Sequence, residues 1–189
     1  SMEAEWGLSP SMLEPLERER YDRQIMIPEI GEEGQERLKK ARVFIAGAGG
    51  LGSPIAIYLA AAGVGRIRLV DRDTVDVSNL NRQVLHWEKD TGRRKVESAR
   101  EKLTGLNPHV TLEALVESIE ETNVFQLTEG FDAIVDAMDN LPTRYLLNKA
   151  AIEHRIPFFH GAVRGFEGRV MTVIPGETAC LRCMYRGDV

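Results

Sequence analysis

The chain has 189 residues, 43% of them apolar and 28% charged, with a net charge of −5 from 24 basic and 29 acidic side chains. That balance fits one ordinary folded domain and excludes a general nucleic-acid binder, which carries a basic excess. The longest apolar run, residues 54–64, is far shorter than the ~20 residues a bilayer requires, so no membrane partner is expected.

Residues 1–19 read as a flexible or helical N-terminal extension. They carry Glu3, Glu5, Glu14, Glu17 and Glu19 and lack the apolar block of a secretory leader. Ser11 and Glu14 have capping-box spacing, which predicts a helix start there, with Leu13, Leu16 and Arg20 on one face. A second short helix is expected over 34–40. Val43 to Ala46 is a strand-type apolar run ended by Gly47, followed by a helical pattern from Gly50 to Ala62 with Gly63 as its stop. Ile67, Leu69 and Val70 form a second strand, ended by Asp71. A helix is predicted over 94–103 and a third strand over 110–116. Ala133 to Val135, wholly apolar, predicts a central strand. A helix over 144–154 leads to two late strands, 157–162 and 169–174, joined through Gly165 and Gly168 and close enough in sequence to pair antiparallel. Alternating strands and helices predict an α/β fold, Rossmann-like and three-layered, with a largely parallel sheet plus late antiparallel strands.

Gly47-Ala48-Gly49-Gly50-Leu51-Gly52 fits G-x-G-x-x-G between a strand and a helix. Such a loop turns sharply, lets phosphate oxygens approach the backbone and offers them the free N–H groups of a helix start. Asp71, ending the next strand, is placed to accept from ribose hydroxyls. Taken alone this pattern favours NAD. The following segment argues otherwise, because it supplies Asp71, Asp73, Asp76, Asn79, Asn81 and Arg82, and then Lys95 at a helix start. Arg82 and Lys95 suit a triphosphate, whose charge must be balanced while a phosphorus–oxygen bond breaks. A solvated helix face is the alternative for Lys95. Asp139-Asn140 follows the fourth strand, on the edge where open α/β sheets bind ligands. There Asp139 could hold Mg²⁺ with phosphate oxygens or cap the next helix, and Arg144 could position or pair with it.

RYDRQ (20–24), GAGGLGS (47–53), D-x-D-x-V from Asp71, SNLNRQ (78–83), G-x-x-K (92–95), D-N-x-x-x-R (139–144) and CLRC (180–183) occur in one order. Together they resemble the ubiquitin-activating superfamily, closest to the sulfur-carrier adenylyltransferases of molybdopterin and thiamine biosynthesis. The resemblance implies an ATP-dependent adenylyltransferase acting on a ubiquitin-like sulfur-carrier protein that ends in Gly-Gly. The carrier carboxylate would attack the α-phosphate, giving an acyl-adenylate and pyrophosphate, and a sulfur donor protein would act afterwards. It further implies that Gly47, Gly49, Gly50, Leu51 and Gly52 lie along the nucleotide, with Asp73 and Asn140 also among its binding residues, that Asp71 binds its ribose, and that Asn79, Arg82 and Lys95 contact phosphates. Asp139, beside Asn140, matches the Mg²⁺-linked acid needed for adenylation. Arg23 matches an arginine that reaches the partner's ATP site in a homodimer; without the resemblance it reads as a surface residue.

Two other functions stay open. An NAD-dependent oxidoreductase would explain the loop and Asp71 but leave Arg82, Lys95 and Asp139 without tasks. A non-catalytic half of an activating heterodimer would have lost some of the charged residues, and every matched one is present.

Cys180 and Cys183 are the only cysteines. Their spacing gives half of a structural Zn²⁺ site, or a redox pair, and points to a reducing, cytoplasmic setting. His160 is a conceivable third ligand at unusual spacing. The resemblance implies a second cysteine pair further along and several dozen more residues, so 20–189 is read as an ATP-binding adenylyltransferase domain cut short at its C-terminus.

Overall fold

The computed structural model describes residues 12–185. Short helices α1 (Pro15–Arg20), α2 (Asp22–Ile25) and α3 (Gly31–Lys40) precede the sheet. The remainder runs β1 (Arg42–Ala46), α4 (Gly52–Ala62), β2 (Arg66–Val70), α5 (Lys95–Leu106), β3 (Thr111–Leu115), α6 (Val124–Thr128), β4 (Ala133–Asp136), α7 (Leu141–His154), β5 (Phe158–Arg164), β6 (Glu167–Val173) and α8 (Leu181–Tyr185). Single 3₁₀ turns occupy Val77–Asn79 and Glu88–Asp90.

The six strands are ordered β3-β2-β1-β4-β5-β6. The first five are parallel, and β6 returns antiparallel on β5. The expected Rossmann-like sheet is therefore present, with β4 inside it and the late strands paired as a hairpin. Period-two alternation between two covered faces explains why β1 is apolar from Val43 to Ala46. Val43 and Ile45 pack with Ala56, Ala60, Val96, Ala99 and Leu103 on the α4–α5 side. Phe44 and Ala46 pack with Val124, Leu127, Leu147, Ala150 and Ala151 on the α6–α7 side. Burying each large side chain in these layers contributes about 2 kcal/mol.

The first helix differs from its expected form. Its N-cap is Glu14, in a reciprocal capping box with Glu17; Ser11 lies outside the described residues. Leu16 is exposed, and the buried position is Glu17. Its carboxylate accepts from Lys39 Nζ at 2.5 Å and from the Glu14 N–H at 2.9 Å, so a charge is buried because it is paired. The helix expected from Gly50 starts two residues later, at Gly52. Gly63 ends it in the left-handed region (φ 87°).

Candidate nucleotide site

β1 and β4 are neighbours, and the chain leaves them toward opposite faces, into α4 and α7. This is the switch point of an open α/β sheet, where a crevice forms beyond the strand ends. The glycine loop and Asp139 both lie there. Gly47 has φ 97°, and a Cβ on it would stand 2.8 Å from the Ala137 carbonyl oxygen. The loop is therefore pressed against the end of β4.

Asp71, at the end of β2, ties the loop down. One carboxylate oxygen accepts from the Ala48 N–H and the other from the Asp73 N–H, each at 2.8 Å. Each oxygen keeps a second lone pair for a ligand hydroxyl. The Arg82 side chain lies beside Gly50, its Cγ 3.6 Å from where a Cβ would sit, with Nη1 held by the Ser78 carbonyl and Asn81 Oδ1. Asn79 shapes this turn, its Oδ1 accepting from the Asp76 N–H at 3.1 Å. Lys95 is buried rather than on a solvated helix face. Its Nζ pairs at 3.1 Å with the exposed carboxylate of Asp73. Leu51 caps the start of α4, with its Cδ1 against Gly161 of β5.

After β4, Asn140 is the N-cap of α7, accepting from the Thr143 N–H at 3.0 Å. Asp139 is thereby released from capping. It is exposed, with one long contact from Asn140 Nδ2 at 3.5 Å. Arg144 does not pair with it. It turns inward to Asp136 (Nε–Oδ2 3.6 Å) and donates to the carbonyls of Met138 and Gly161. Buried Asp136 also accepts from His160 Nδ1 at 2.6 Å and from the Met138 N–H at 2.9 Å. The segment carrying Asp139 is thus held from beneath by a buried polar cluster.

The structure brings the glycine loop, Asp71, Asp73, Asn79, Arg82, Lys95, Asp139 and Asn140 to one edge of the sheet, on the loops after β1, β2 and β4 and at the start of α5. Arg23 is not with them. It is exposed on α2, beside Met26, and α2 docks on the far end of α4: Gln24 donates to the Ala62 carbonyl and Tyr21 lies against Gly63. Eleven helical residues, about 16 Å, separate that end from the glycine loop.

Three residues at this edge carried no assigned role in the sequence. Gln83 sits under Gly49, its Oε1 buried without a partner among the described residues. His86 and Ser98 lie buried behind Ala48. Gln83 falls inside the SNLNRQ run, which was a usable signal; His86 and Ser98 had none.

Cys180 and Cys183 bracket the start of α8 with their Sγ atoms 3.7 Å apart. Burial pushes the Cys180 thiol up, but hydrogen bonds from Cys183, from the Arg182 N–H and from Asn148 outweigh it and hold the thiol below its ordinary range. Two thiolates on one tetrahedral zinc stand about 3.8 Å apart, so the pair fits that ion. No cluster of three or more His, Cys, Asp or Glu is arranged for a metal among the described residues. His160, whose Nδ1 bonds Asp136, is not grouped with the two cysteines and does not complete the set.

Residues 21–189 match the model of the ThiF family. The chain belongs to the ThiF family. It is 46% identical over 173 residues to the SAMP-activating enzyme E1 of Haloferax volcanii, covering 92% of this chain and 64% of that protein. It is 45% identical over 174 residues to the sulfur carrier protein adenylyltransferase of Thermus thermophilus, covering 89% of this chain and again 64% of the relative. Among solved structures, PaaA superposes with a TM-score of 0.84 at 29% identity over 96% of this chain and 63% of that one. E. coli MccB, crystallised with ATP, gives 0.78 at 28% identity over 87% and 50%. The ThiF chain thus spans about two-thirds or less of each of these proteins. No helix among its described residues is long and apolar enough to cross a membrane.

One element beside the ThiF loop sets an acid limit on the fold. Burial alone would push the Asp90 carboxyl up, but Lys102 and the Trp87 N–H outweigh it and bring it down to about 2. Asp90 and Lys102 are buried together. Because the folded value lies below the ordinary 3.8, this group's stabilisation is complete above about pH 5 and is lost as pH falls toward 2. Its size is roughly 2 kcal/mol. Urea melts should show the gap between wild type and Asp90→Asn closing over that window.

Proposed function

We propose that this chain is the ATP-binding core of an adenylyltransferase that activates the C-terminal carboxylate of a ubiquitin-like sulfur carrier ending in Gly-Gly. The observation that carries the reading is Arg82 lying against Gly50, at the same sheet edge as Lys95, which is buried at the start of α5 and paired with Asp73. Two cations at the edge that carries the glycine loop suit a triphosphate, and hydride transfer has no use for them. The names of the relatives support adenylylation.

In this reading Gly49, Gly50 and the start of α4 receive the phosphates, and Asp71 receives the ribose hydroxyls. Arg82 and Lys95 offset charge as a carboxylate oxygen of the carrier bonds to the α-phosphorus. The α–β phosphorus–oxygen bond breaks, and pyrophosphate leaves with the electron pair. Attack of one anion on another needs charge neutralisation and alignment more than a protein nucleophile. Asp139 is an exposed oxygen donor at the same edge, of the kind Mg²⁺ takes alongside phosphates. When bound, that ion supplies further neutralisation of the triphosphate. Cys180 and Cys183 would hold a structural Zn²⁺ with two ligands from outside the described residues. A cytoplasmic setting agrees with the free thiols.

The test is ATP–pyrophosphate exchange with Mg²⁺ and candidate Gly-Gly-ending carriers. Exchange dependent on a carrier is expected. ATP binding without exchange on any carrier would favour a non-catalytic subunit, and protection by NAD in place of ATP would overturn the reading.

The remoteness of Arg23 from its own loop supports a homodimer in which it reaches the partner's site. Arg23→Ala and Lys95→Ala should each be inactive alone and regain up to a quarter of wild-type exchange when mixed, the statistical share with one intact site. No recovery on mixing would rule out action across subunits.

A further inference from the structure

A buried chain of hydrogen bonds runs from the Glu88–Asp90 turn to the glycine loop. Asp90 accepts from Lys102, and Lys102 Nζ also lies 2.8 Å from Ser98 Oγ. Ser98 Oγ is 3.0 Å from His86 Nδ1, and His86 Nε2 is 3.0 Å from the Ala48 carbonyl oxygen. Asp90 and Ser98 are fully buried, and His86 is 3% exposed. With a neutral ring, the direction of every bond follows from the groups at the two ends. An ammonium only donates, so Lys102 occupies a lone pair of Ser98. A carbonyl only accepts, so His86 Nε2 carries the proton. Nδ1 of the neutral ring is then the acceptor for the Ser98 hydroxyl. Ala48 is held from its other side as well, where its N–H donates to Asp71 and Ser53 Oγ shares its carbonyl at 3.2 Å.

We propose that His86 is a positioning residue for nucleotide binding: as the neutral Nε2–H tautomer it fixes the Ala48 peptide, and protonation of its ring loosens the loop. The inference rests on the nucleotide-binding reading above. An imidazolium would still donate to the Ala48 carbonyl, but its Nδ1 proton would turn the Ser98 hydroxyl away and its charge would be buried beside Lys102 and Lys95, a state relieved when the loop opens to water. The charged groups facing the ring are Lys102 and Lys95 from α5 and Asp90 from the 3₁₀ turn. Burial first, and then the two ammoniums, depress protonation of the ring, against the opposing pull of the Ala48 carbonyl and Asp90. His86 is therefore neutral at pH 7, and its titration falls below the ordinary histidine range.

ATP affinity measured from pH 5 to 8 in wild type, His86→Gln, His86→Phe and Ser98→Ala, beside melts without nucleotide, tests the proposal. Phe keeps the ring shape but has no donor, and should weaken ATP by about tenfold. Gln presents an amide N–H to the same carbonyl and should stay within about threefold of wild type. Wild type should lose affinity toward pH 5 more steeply than the Gln variant, which has no group titrating there. Ser98→Ala should show a shifted acid limb, since the ring has lost its Nδ1 partner. If the Phe variant does not fold, the acid limbs of wild type and Gln decide. Identical acid limbs, or a Gln variant as weak as Phe, would overturn the role of His86 while ATP binding by wild type left the functional reading intact. Absence of ATP binding by wild type would overturn both.

Discussion

Asp139→Ala should abolish adenylate formation in a protein that melts like wild type. The carboxylate is exposed and has one 3.5 Å contact, and capping of α7 belongs to its neighbour Asn140. Its removal leaves the packing unchanged, so stability should shift by no more than about 0.5 kcal/mol. If the carboxylate helps hold the Mg²⁺ that offsets charge on the reacting phosphates, ATP–pyrophosphate exchange should fall by about 10²–10³-fold or more. Asp139→Asn should fall as far, because the amide keeps the shape and loses the charge. Asn140→Ala supplies the contrast, with loss of the cap costing about 1 kcal/mol of stability and a smaller effect on exchange. Exchange that followed melting temperature across all three variants would reduce Asp139 to a structural residue.

The parts of this fold that were legible are those set by neighbours in sequence. Val43 to Ala46 reads as a buried strand because both faces are covered, and Gly63 reads as a stop because α4 ends in a left-handed residue. The order of glycine loop, Asp71, Lys95 and Asp139 was enough to bring these residues to one edge of the sheet, since each follows or precedes an element that the pattern revealed. What stayed hidden depends on distant partners. Glu17 looks like a solvent residue until Lys39 arrives from α3 to pair with it. Arg144 could be assigned to Asp139 by proximity in sequence, yet the buried charge of Asp136 draws it inward. Five residues of α6 carry no side-chain cap, so their helix is held by packing of Val124 and Leu127. His86 lies in a segment with neither helical nor strand periodicity, and its meaning comes from Ala48 and Ser98, 38 and 12 residues away.

The glycine loop itself offers the sharpest separation of fold from ligand. Gly52 and Gly50 are two residues apart and should respond in opposite ways to one added methyl group. A Cβ on Gly52 would lie 1.8 Å from the Gly47 carbonyl oxygen and 2.8 Å from its carbonyl carbon. Both are backbone atoms of a loop already pressed against β4, so neither can swing aside as a side-chain end would. Relief requires α4 to move off the end of β1, which opens the layer formed by Ala56 and Ala60. Gly52→Ala should therefore cost on the order of 3 kcal/mol and lose ATP binding with it. Gly50 is different. The three atoms nearest a Cβ there are Arg82 Cγ, Cδ and Nε at 3.6–3.9 Å, ordinary contact with a flexible side chain, and its backbone does not need a positive φ. Gly50→Ala should melt within about 0.5 kcal/mol of wild type. If the loop serves only as a tight turn, its ligand chemistry is unaffected and nothing further changes. If phosphates lie along it, the methyl occupies their approach and crowds Arg82, and ATP affinity should fall by tenfold or more at unchanged stability. Calorimetric melts and ATP titrations on the two variants decide the matter, and wild-type ATP affinity in Gly50→Ala would remove the loop from the phosphate site.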